Sequence, residues 1–318
     1  MPMTPPRFLL KFSVLALLRA ATALRAAPIQ HDFLALDEGL VQLLHVNERD
    51  PSKNWIVHVD HLTPRDLQLV GGGRVLVGHD AGYTEYDLAT GKVLKDVGAF
   101  KGVTSARRLP NGHTLLAGVN LDGSTGVVVI EIDDTNAVVK KLVYPGDYVR
   151  LIRETAQGTF LLMTNTMIRE GDREGKIIHE FPVDGFKHAW KALRLPNGHI
   201  VASAGYGAFM VELDASGAVV RKWGAKGQTP PEVNTNFYAT FQLLPNGDIV
   251  VANWQGHGKT HGDSGRQLIE FNPAGDAIVW TWSDAKIIST LQGVLILDGL
   301  DPSVLHDERE GLMKPLKK

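Results

Sequence analysis

The stretch that decides the fold is Arg194-Leu195-Pro196-Asn197-Gly198-His199-Ile200-Val201-Ala202. An apolar run enters a Pro-Asn-Gly segment, and a second apolar run leaves it. Proline presets φ for a turn, and asparagine and glycine tolerate positive φ, so this pattern predicts a β-hairpin. Close copies occupy residues 108–117 and 243–252, and weaker ones occupy residues 69–77 and 155–162.

The glycines of these turns are spaced at a nearly constant interval. They stand at positions 72, 112, 158, 198 and 247, in steps of 40, 46, 40 and 49 residues. A second hairpin follows each of the first ones, with a turn such as Asp214-Ala215-Ser216-Gly217. Two hairpins per repeat of this length are typical of a four-stranded β-propeller blade, whose strands are called A to D from the inside outward.

Five complete repeats leave unpaired strands at both ends of the chain. Residues 289–299 resemble a lone strand A with its turn, whereas residues 33–59 supply strands B, C and D. Joining the two sets closes the ring and leaves no free sheet edge between blades. The sequence therefore predicts an all-β, six-bladed propeller over residues 31–300. A seven-bladed ring with one degenerate blade is the alternative.

Composition excludes several function classes. The 318 residues contain no cysteine, which rules out disulfides, cysteine-bound zinc, iron–sulfur clusters and thiol catalysis. The formal net charge of −2 offers no general attraction for nucleic acid, so no nucleic-acid partner is expected.

The two ends of the chain carry further predictions. Arg7 and Lys11 precede an apolar run, and the small residues Ala21-Thr22-Ala23 and Ala26-Ala27 follow it. This pattern predicts a signal peptide over residues 1–27 and a periplasmic or secreted protein, with an uncleaved N-terminal helix as the alternative. No segment reaches the ~20 apolar residues that a membrane span needs. The charged segment 301–318 is expected to be a surface tail, and the protein a monomer.

One repeat carries a resemblance to a known family. The segment Tyr86-Asp87-Leu88-Ala89-Thr90-Gly91-Lys92-Val93-Leu94 resembles the A-x-D-x-x-T-G-K-x-x-W blade motif of quinoprotein (PQQ-like) propellers, with Leu94 in place of the tryptophan. The Leu-Pro-Asn-Gly hairpins look like those of arylsulfotransferase-like propellers. PQQ dehydrogenases have eight blades and a vicinal cysteine pair, so no bound PQQ and no other cofactor is expected. The resemblance to arylsulfotransferases implies a sulfuryl-carrying histidine in the channel, a place that His188 could occupy.

Polar residues recur near the start of each strand A. Six stand about seven positions before the turn glycines: Arg65, Ser105, Arg150, Lys191, Thr240 and Gln292. They predict a polar ring that faces the central channel, either because such channels are wet or because the ring binds a ligand. Its cations, with Arg107 nearby, need an anion, which is either a ligand or one of Asp37, Glu38 and Asp66.

The loops between strands B and C share a face of the ring with the loops that enter strand A. Residues 253–263 form the longest of the B-to-C loops, rich in glycine and histidine, and Trp254 offers a flat ring to a sugar or an aromatic group. The residues expected to bind the ligand are Arg65, His79, Arg107, Tyr148, Lys191, Asn253, Trp254, His257 and Gln292.

Three function classes remain open. The first is an exported propeller that binds a polar, anionic, carbohydrate-like ligand in its funnel. The second is a lyase or sulfuryl-transfer enzyme that uses His188, Tyr238 and Arg150, with a base beside a cation that stabilises an enolate. The third is a protein-interaction scaffold. A metal held by His79, His188 or His257 is conceivable, but no ligand spacing supports it and none is predicted.

Overall fold

The computed structural model describes residues 1, 3 and 27–316. Their strands form six sheets arranged as the blades of a ring, and the predicted six-bladed β-propeller is confirmed. The seven-bladed alternative is therefore wrong. The predicted signal peptide lies almost entirely outside the described residues. Within the described part of the chain, no helix has the length and apolarity needed to cross a bilayer.

Three blades come from the first half of the chain and one C-terminal strand. Blade 1 combines β1 (Asp32–Asp37), β2 (Gln42–Asn47) and β3 (Trp55–His58) with β24 (Leu291–Ile296) as its strand A. Blade 2 contains β4 (Asp66–Gly71), β5 (Arg74–His79), β6 (Gly82–Asp87) and β7 (Val93–Val97). Blade 3 contains β8 (Val103–Arg108), β9 (Thr114–Val119), β10 (Val127–Ile132) and β11 (Val138–Tyr144).

The second half of the chain supplies the other three blades. Blade 4 contains β12 (Ile152–Glu154), β13 (Phe160–Met163), β14 (Met167–Gly171) and β15 (Ile177–Pro182). Blade 5 contains β16 (Ala192–Arg194), β17 (Ile200–Ser203), β18 (Met210–Leu213) and β19 (Val219–Trp223). Blade 6 contains β20 (Phe237–Leu243), β21 (Ile249–Trp254), β22 (Leu268–Phe271) and β23 (Ile278–Trp282). Short 3-10 helices occupy Pro51–Lys53, Leu121–Gly123 and Pro231–Val233.

The Pro-Asn-Gly turns adopt the backbone that their sequence favours. Gly112, Gly198 and Gly247 have φ of 87°, 84° and 90°, a region that glycine enters without strain. Each glycine N–H donates to the carbonyl of the leucine three residues earlier, at 2.9–3.0 Å. Local turn chemistry therefore sets the register of strands A and B in these blades.

The ring closes between the two ends of the chain. Strand β24 pairs antiparallel with β1, from Phe33 opposite Ile296 to Leu36 opposite Gly293. Gly293 is needed there, because a Cβ atom at this position would lie 2.8 Å from the Leu36 side chain.

The hydrophobic core lies between the blades. Six clusters of buried apolar side chains each join two neighbouring blades, one cluster for every interface of the ring. Burial of this apolar surface stabilises the ring at ~25 cal/mol per Å². The channel at the centre is left to polar groups.

The C-terminal segment is a correction to the sequence prediction. Residues 301–318 were expected to form a surface tail, yet β25 (His306–Glu310) and β26 (Leu312–Pro315) form a hairpin against the inner strand of blade 6. His306, Asp307 and Glu308 are buried. The hairpin places its acidic residues against buried cations of the inner strands, which explains why a charged sequence is internal.

Candidate functional site

The channel has two ends with different chemistry. We call the end formed by the loops that enter strand A and by the B-to-C loops the funnel. It includes Glu38, Arg65, Tyr148, Arg150, His188, Tyr206 and His257. The opposite end is filled by the C-terminal hairpin.

Two arginines of the funnel have no acidic partner. Arg65 directly precedes the inner strand β4, Arg150 stands two residues before the inner strand β12, and both arginines are half-buried. Neither forms an ion pair within the part of the chain that the structure describes, and the Nε atom of each is buried without a hydrogen-bond partner. Burial, together with the charge of Arg150, lowers the pKa of Arg65 to about 10. The pair is thus two desolvated, like-charged groups with unused donors.

The nearby acidic side chains are engaged elsewhere. Asp37 accepts hydrogen bonds from the backbone of Leu40, Ser289 and Thr290. Glu38 accepts from Trp254 Nε1 at 3.3 Å and contacts His257 Nδ1 at 3.0 Å. Among the described residues, the acidic side chains that the sequence offered as counter-charges therefore form no ion pair with Arg65 or Arg150.

Aromatic rings surround Arg150. Its guanidinium lies 4.5 Å from the centre of the Tyr148 ring and 5.5 Å from that of Trp190. Burial raises the pKa of Tyr148 to about 12, and its hydroxyl oxygen is buried without a partner among the described residues. Neutral Tyr148 therefore holds its hydroxyl next to the Arg150 guanidinium, which is close enough to interact with it.

His188 stands in the same group under backbone strain. Its φ of 55° lies in the left-handed region, which non-glycine residues rarely adopt. Its ring meets Tyr148 edge-on at 5.1 Å and Tyr206 at 5.5 Å. Partial burial, then the charges of Arg150 and Lys187, lower its pKa. The imidazole is thus kept neutral near neutral pH and can accept a proton.

The aromatic contacts continue around the funnel. Tyr206 packs against Phe237 at 4.7 Å, and Phe237 packs against Trp254 at 5.3 Å. Tyr206 keeps 42% of its surface exposed, whereas Trp254 keeps 6%. The exposed ring available to a ligand is therefore that of Tyr206, and the predicted flat face of Trp254 is not available. His257 is exposed at the rim beside Trp254.

Arg107 and Lys191 do not belong to the funnel, which corrects two of the expected ligand contacts. Lys191 Nζ lies 2.7 Å from Glu308, and Arg107 contacts Asp307 at 3.3 Å. Arg153 binds both Asp66, at 2.8 Å, and Glu308. These cations are neutralised by carboxylates of the protein itself.

Tyr238 is a second correction. Its side chain is fully buried in the apolar cluster between blades 5 and 6, and its hydroxyl donates to the carbonyl of Gly224 at 2.7 Å. Burial raises its pKa far above the usual range. The structure therefore places Tyr238 in the interface between blades and not in the funnel, where the predicted catalytic role would put it.

Three further predicted ligand contacts serve the scaffold. Asn253 is fully buried and donates to the carbonyls of Val233 and Arg266. Gln292 donates to the carbonyl of Pro64 at 2.8 Å. His79 is buried, stacked on His61 with ring centres 4.0 Å apart, and burial followed by the charge of His61 lowers its pKa to about 4. The structure thus keeps Arg65, Tyr148, Arg150, His188 and His257 in or at the funnel.

The comparisons with known proteins support the fold. No family model and no curated protein matches the sequence, so the resemblance to quinoprotein and arylsulfotransferase-like propellers stays a prediction. A protein of unknown function from Bacteroides caccae is similar in structure, with a TM-score of 0.68 and 20% identity over 85% of this chain and 99% of that one.

Two further structures are similar at lower scores. One is a catalytically inactive histidine-to-alanine variant of virginiamycin B lyase from Staphylococcus aureus with quinupristin, with a TM-score of 0.51 and 12% identity over 81% of this chain and 85% of that one. The other is a functionally unknown protein from Desulfotomaculum acetoxidans, with a TM-score of 0.50 and 13% identity over 84% and 98% of the two chains. At these identities the likeness concerns the fold alone.

Proposed function

We propose that this propeller binds a small anionic ligand, through a carboxylate or sulfate group, between Arg65 and Arg150 in the funnel. The observation that carries the proposal is the pair of half-buried arginines that have no acidic partner among the described residues. Burying like charges together costs free energy unless an anion compensates them, and guanidinium groups match carboxylate and sulfate oxygens in geometry. An anion would supply the acceptors that both Nε atoms lack.

The surrounding groups suit a ligand that carries a ring. The exposed face of Tyr206 offers stacking, and the Tyr148 hydroxyl and the His188 imidazole offer hydrogen bonds beside the cations. An aromatic acid, an aryl sulfate or an acidic sugar has this combination of ring and charge. We further propose, from the N-terminal sequence pattern, that the protein acts outside the cytoplasm.

The test is a thermal-shift titration of the full chain with sulfate, phenyl sulfate, benzoate and glucuronate at matched ionic strength. The same titrations are made on Arg65→Gln and Arg150→Gln. We expect either substitution to weaken binding about 10- to 100-fold, because a charge-assisted hydrogen bond contributes ~1.5–3 kcal/mol.

The control is Arg74→Gln, since Arg74 is a more exposed arginine already paired with Glu85 at 3.0 Å. Sulfate also stabilises proteins by exclusion from their surface, and this general effect is the same in all variants. Equal shifts in wild type, Arg74→Gln and both funnel variants would refute the site and favour a protein-interaction scaffold.

A second candidate function is catalysis at the same place. His188 is a neutral imidazole, held in a strained backbone conformation beside Arg150. A neutral base next to a cation can remove the proton adjacent to a bound carboxylate while the arginine stabilises the enolate. The enolate then expels an oxygen leaving group from the next carbon as a C=C bond forms, and Tyr148, rather than the buried Tyr238, gives its proton to that oxygen.

This candidate is tested separately from binding. Each ligand that binds is incubated with the protein, and an unsaturated carboxylate or a released aryl alcohol is followed by absorbance. We expect His188→Gln to bind the ligand with little change and to abolish turnover. Turnover that persists in purified His188→Gln would rule out this role for His188.

A further inference from the structure

Three potential metal ligands lie together at the junction of blades 1 and 2. His61 is in the loop between β3 and β4, His79 ends β5, and Asp96 is in β7. One ligand atom from each of the three lies within 4.8 Å of the other two. The cluster takes no part in the funnel chemistry described above, and the sequence pattern did not predict it because its members come from three separate elements.

The distances within the cluster are close to those of a metal site. His61 Nε2 lies 3.0 Å from Asp96 Oδ2, and His79 Nε2 lies 3.9 Å from Asp96 Oδ1. Zinc bonds of ~2.0–2.2 Å in a tetrahedron set neighbouring ligand atoms about 3.3 Å apart. Two imidazoles on one tetrahedral ion have ring centres about 5 Å apart, whereas the stacked rings of His61 and His79 are 4.0 Å apart, so the partly exposed His61 must turn away from His79 by about 1 Å to reach this geometry.

The surroundings orient one of the ligands. The Thr84 hydroxyl donates to Asp96 Oδ1 at 2.6 Å, whereas its contact of 3.1 Å with His79 Nε2 is given up when an ion binds that nitrogen. Hydrogen bonds of this kind hold the ligands of metal sites in place. His79 is fully buried, whereas the side chains of His61 and Asp96 keep 23% and 46% of their surface exposed. An ion can thus reach the cluster from solvent and bind to the buried side chain of His79.

We propose that His61, His79 and Asp96 bind one zinc ion, with water in the fourth position. Imidazole nitrogens favour zinc and neighbouring transition metals over calcium and magnesium, which prefer oxygen ligands. The ion takes the place of the ring protons that now face Asp96 and Thr84, and each neutral imidazole keeps its proton on the other nitrogen. Zinc binding costs His79 one long hydrogen bond, 3.3 Å from the Ala81 N–H to Nδ1, because Nδ1 then carries the ring proton and no longer accepts.

The bound ion connects two blades. His61 belongs to the segment that leaves blade 1, while His79 and Asp96 belong to the second and fourth strands of blade 2. Zinc bound to the folded chain and not to the unfolded one raises stability by RT ln(1 + c/Kd), which grows with the free zinc concentration c. We therefore expect zinc to raise the melting temperature of the full chain.

The test measures zinc on the full chain after chelator treatment, reloading and desalting. We expect about one zinc ion per wild-type chain, in keeping with a single three-ligand site. His61→Ala and Asp96→Asn should each weaken zinc binding about 100-fold or more, beyond the 10–100-fold loss typical of an outer partner. Both residues are partly exposed, so these variants should keep the fold, which circular dichroism checks.

The controls are His257→Ala and His113→Ala, two histidines each paired with a single glutamate elsewhere in the ring. Both should retain zinc, and excess magnesium or calcium should not compete. Zinc binding that is absent in wild type, or unchanged in His61→Ala and Asp96→Asn, would overturn the proposal. Cobalt-loaded wild type should in addition show the strong visible absorption of a tetrahedral site.

Discussion

At the scale of single residues, two arginines three positions apart in the sequence differ in whether an acidic side chain is paired with them. Arg153 is buried and bound by Asp66 and Glu308, whereas the half-buried Arg150 has aromatic rings beside its guanidinium and no carboxylate paired with it among the described residues. A charge kept in the protein without a partner costs stability and is tolerated where a ligand needs it. This contrast between the two arginines is the basis of our proposal that Arg150 binds a ligand.

This contrast predicts a difference in stability. Arg153→Met removes one of the two cations that face each of the buried carboxylates of Asp66 and Glu308, and should lower the free energy of unfolding by about 3–5 kcal/mol. Arg150→Met removes an unpaired charge and two cation–π contacts, so its effect should stay within about 1 kcal/mol. Urea unfolding of both variants measures this, and equal losses would show that Arg150 is a structural residue.

At the scale of elements, the hairpin of residues 306–315 decides the chemistry of one end of the channel. Glu308 lies between Lys191 and Arg153, so the hairpin carries the counter-charge for the inner strands. Burial alone would raise the pKa of Glu308, but Lys191 and Arg153 outweigh it and hold the pKa at about 2. The hairpin is thus an electrostatic part of the fold.

A pH-dependent stability follows from this element. Because the folded pKa of Glu308 is below its ordinary value of 4.5, its contribution is complete above pH 4.5 and is lost as the pH falls towards 2. Glu308→Gln should therefore cost about 3 kcal/mol at pH 7 and progressively less below pH 4.5. Urea unfolding between pH 3 and 7 tests this. The control is Glu310→Gln in the exposed pair with Lys314, and a constant difference across this range would contradict the account.

Local patterns predicted the blades better than they predicted the channel. The Pro-Asn-Gly and Asp-x-x-Gly turns act within a few residues, so the strands that they join follow from the sequence. The position of a side chain along the channel axis does not follow from these local patterns. The sequence therefore predicts Tyr238 and Lys191 in the funnel, although Tyr238 lies between blades 5 and 6 and Lys191 is paired with Glu308 of the C-terminal hairpin. The hairpin was missed because its partners stand more than a hundred residues earlier in the chain.

At the scale of the whole molecule, contacts between the two ends of the propeller keep the ring closed. Beside the paired strands β1 and β24, His31 Nδ1 lies 2.6 Å from Asp298 Oδ2, and His31 Nε2 lies 3.0 Å from Glu270 Oε2 of blade 6. Burial alone would lower the pKa of His31, but these two carboxylates outweigh it and raise the pKa to about 9. The protonated imidazole thus links the first residues of the propeller to its last blade.

This closure should weaken in alkaline solution. Because the folded pKa of His31 is above its ordinary value of 6.5, its contribution is complete below pH 6.5 and is lost as the pH rises through 9. We expect wild type to lose about 2 kcal/mol of stability between pH 6.5 and 9.5, and His31→Asn to lose less. Urea unfolding across this range is the measurement, with the exposed His58→Asn as control. Parallel pH profiles for wild type and His31→Asn would count against this role of His31.

The most direct test of the funnel as an anion site is a crystal structure of the full chain grown with selenate. Selenate has the shape and charge of sulfate, and its anomalous scattering locates it without reference to the protein. We expect an anomalous peak within hydrogen-bond distance of the Arg65 and Arg150 guanidiniums, and its loss in Arg150→Gln. Selenate bound only elsewhere, with Arg65 and Arg150 facing an empty funnel, would refute the proposal that these two arginines bind an anion.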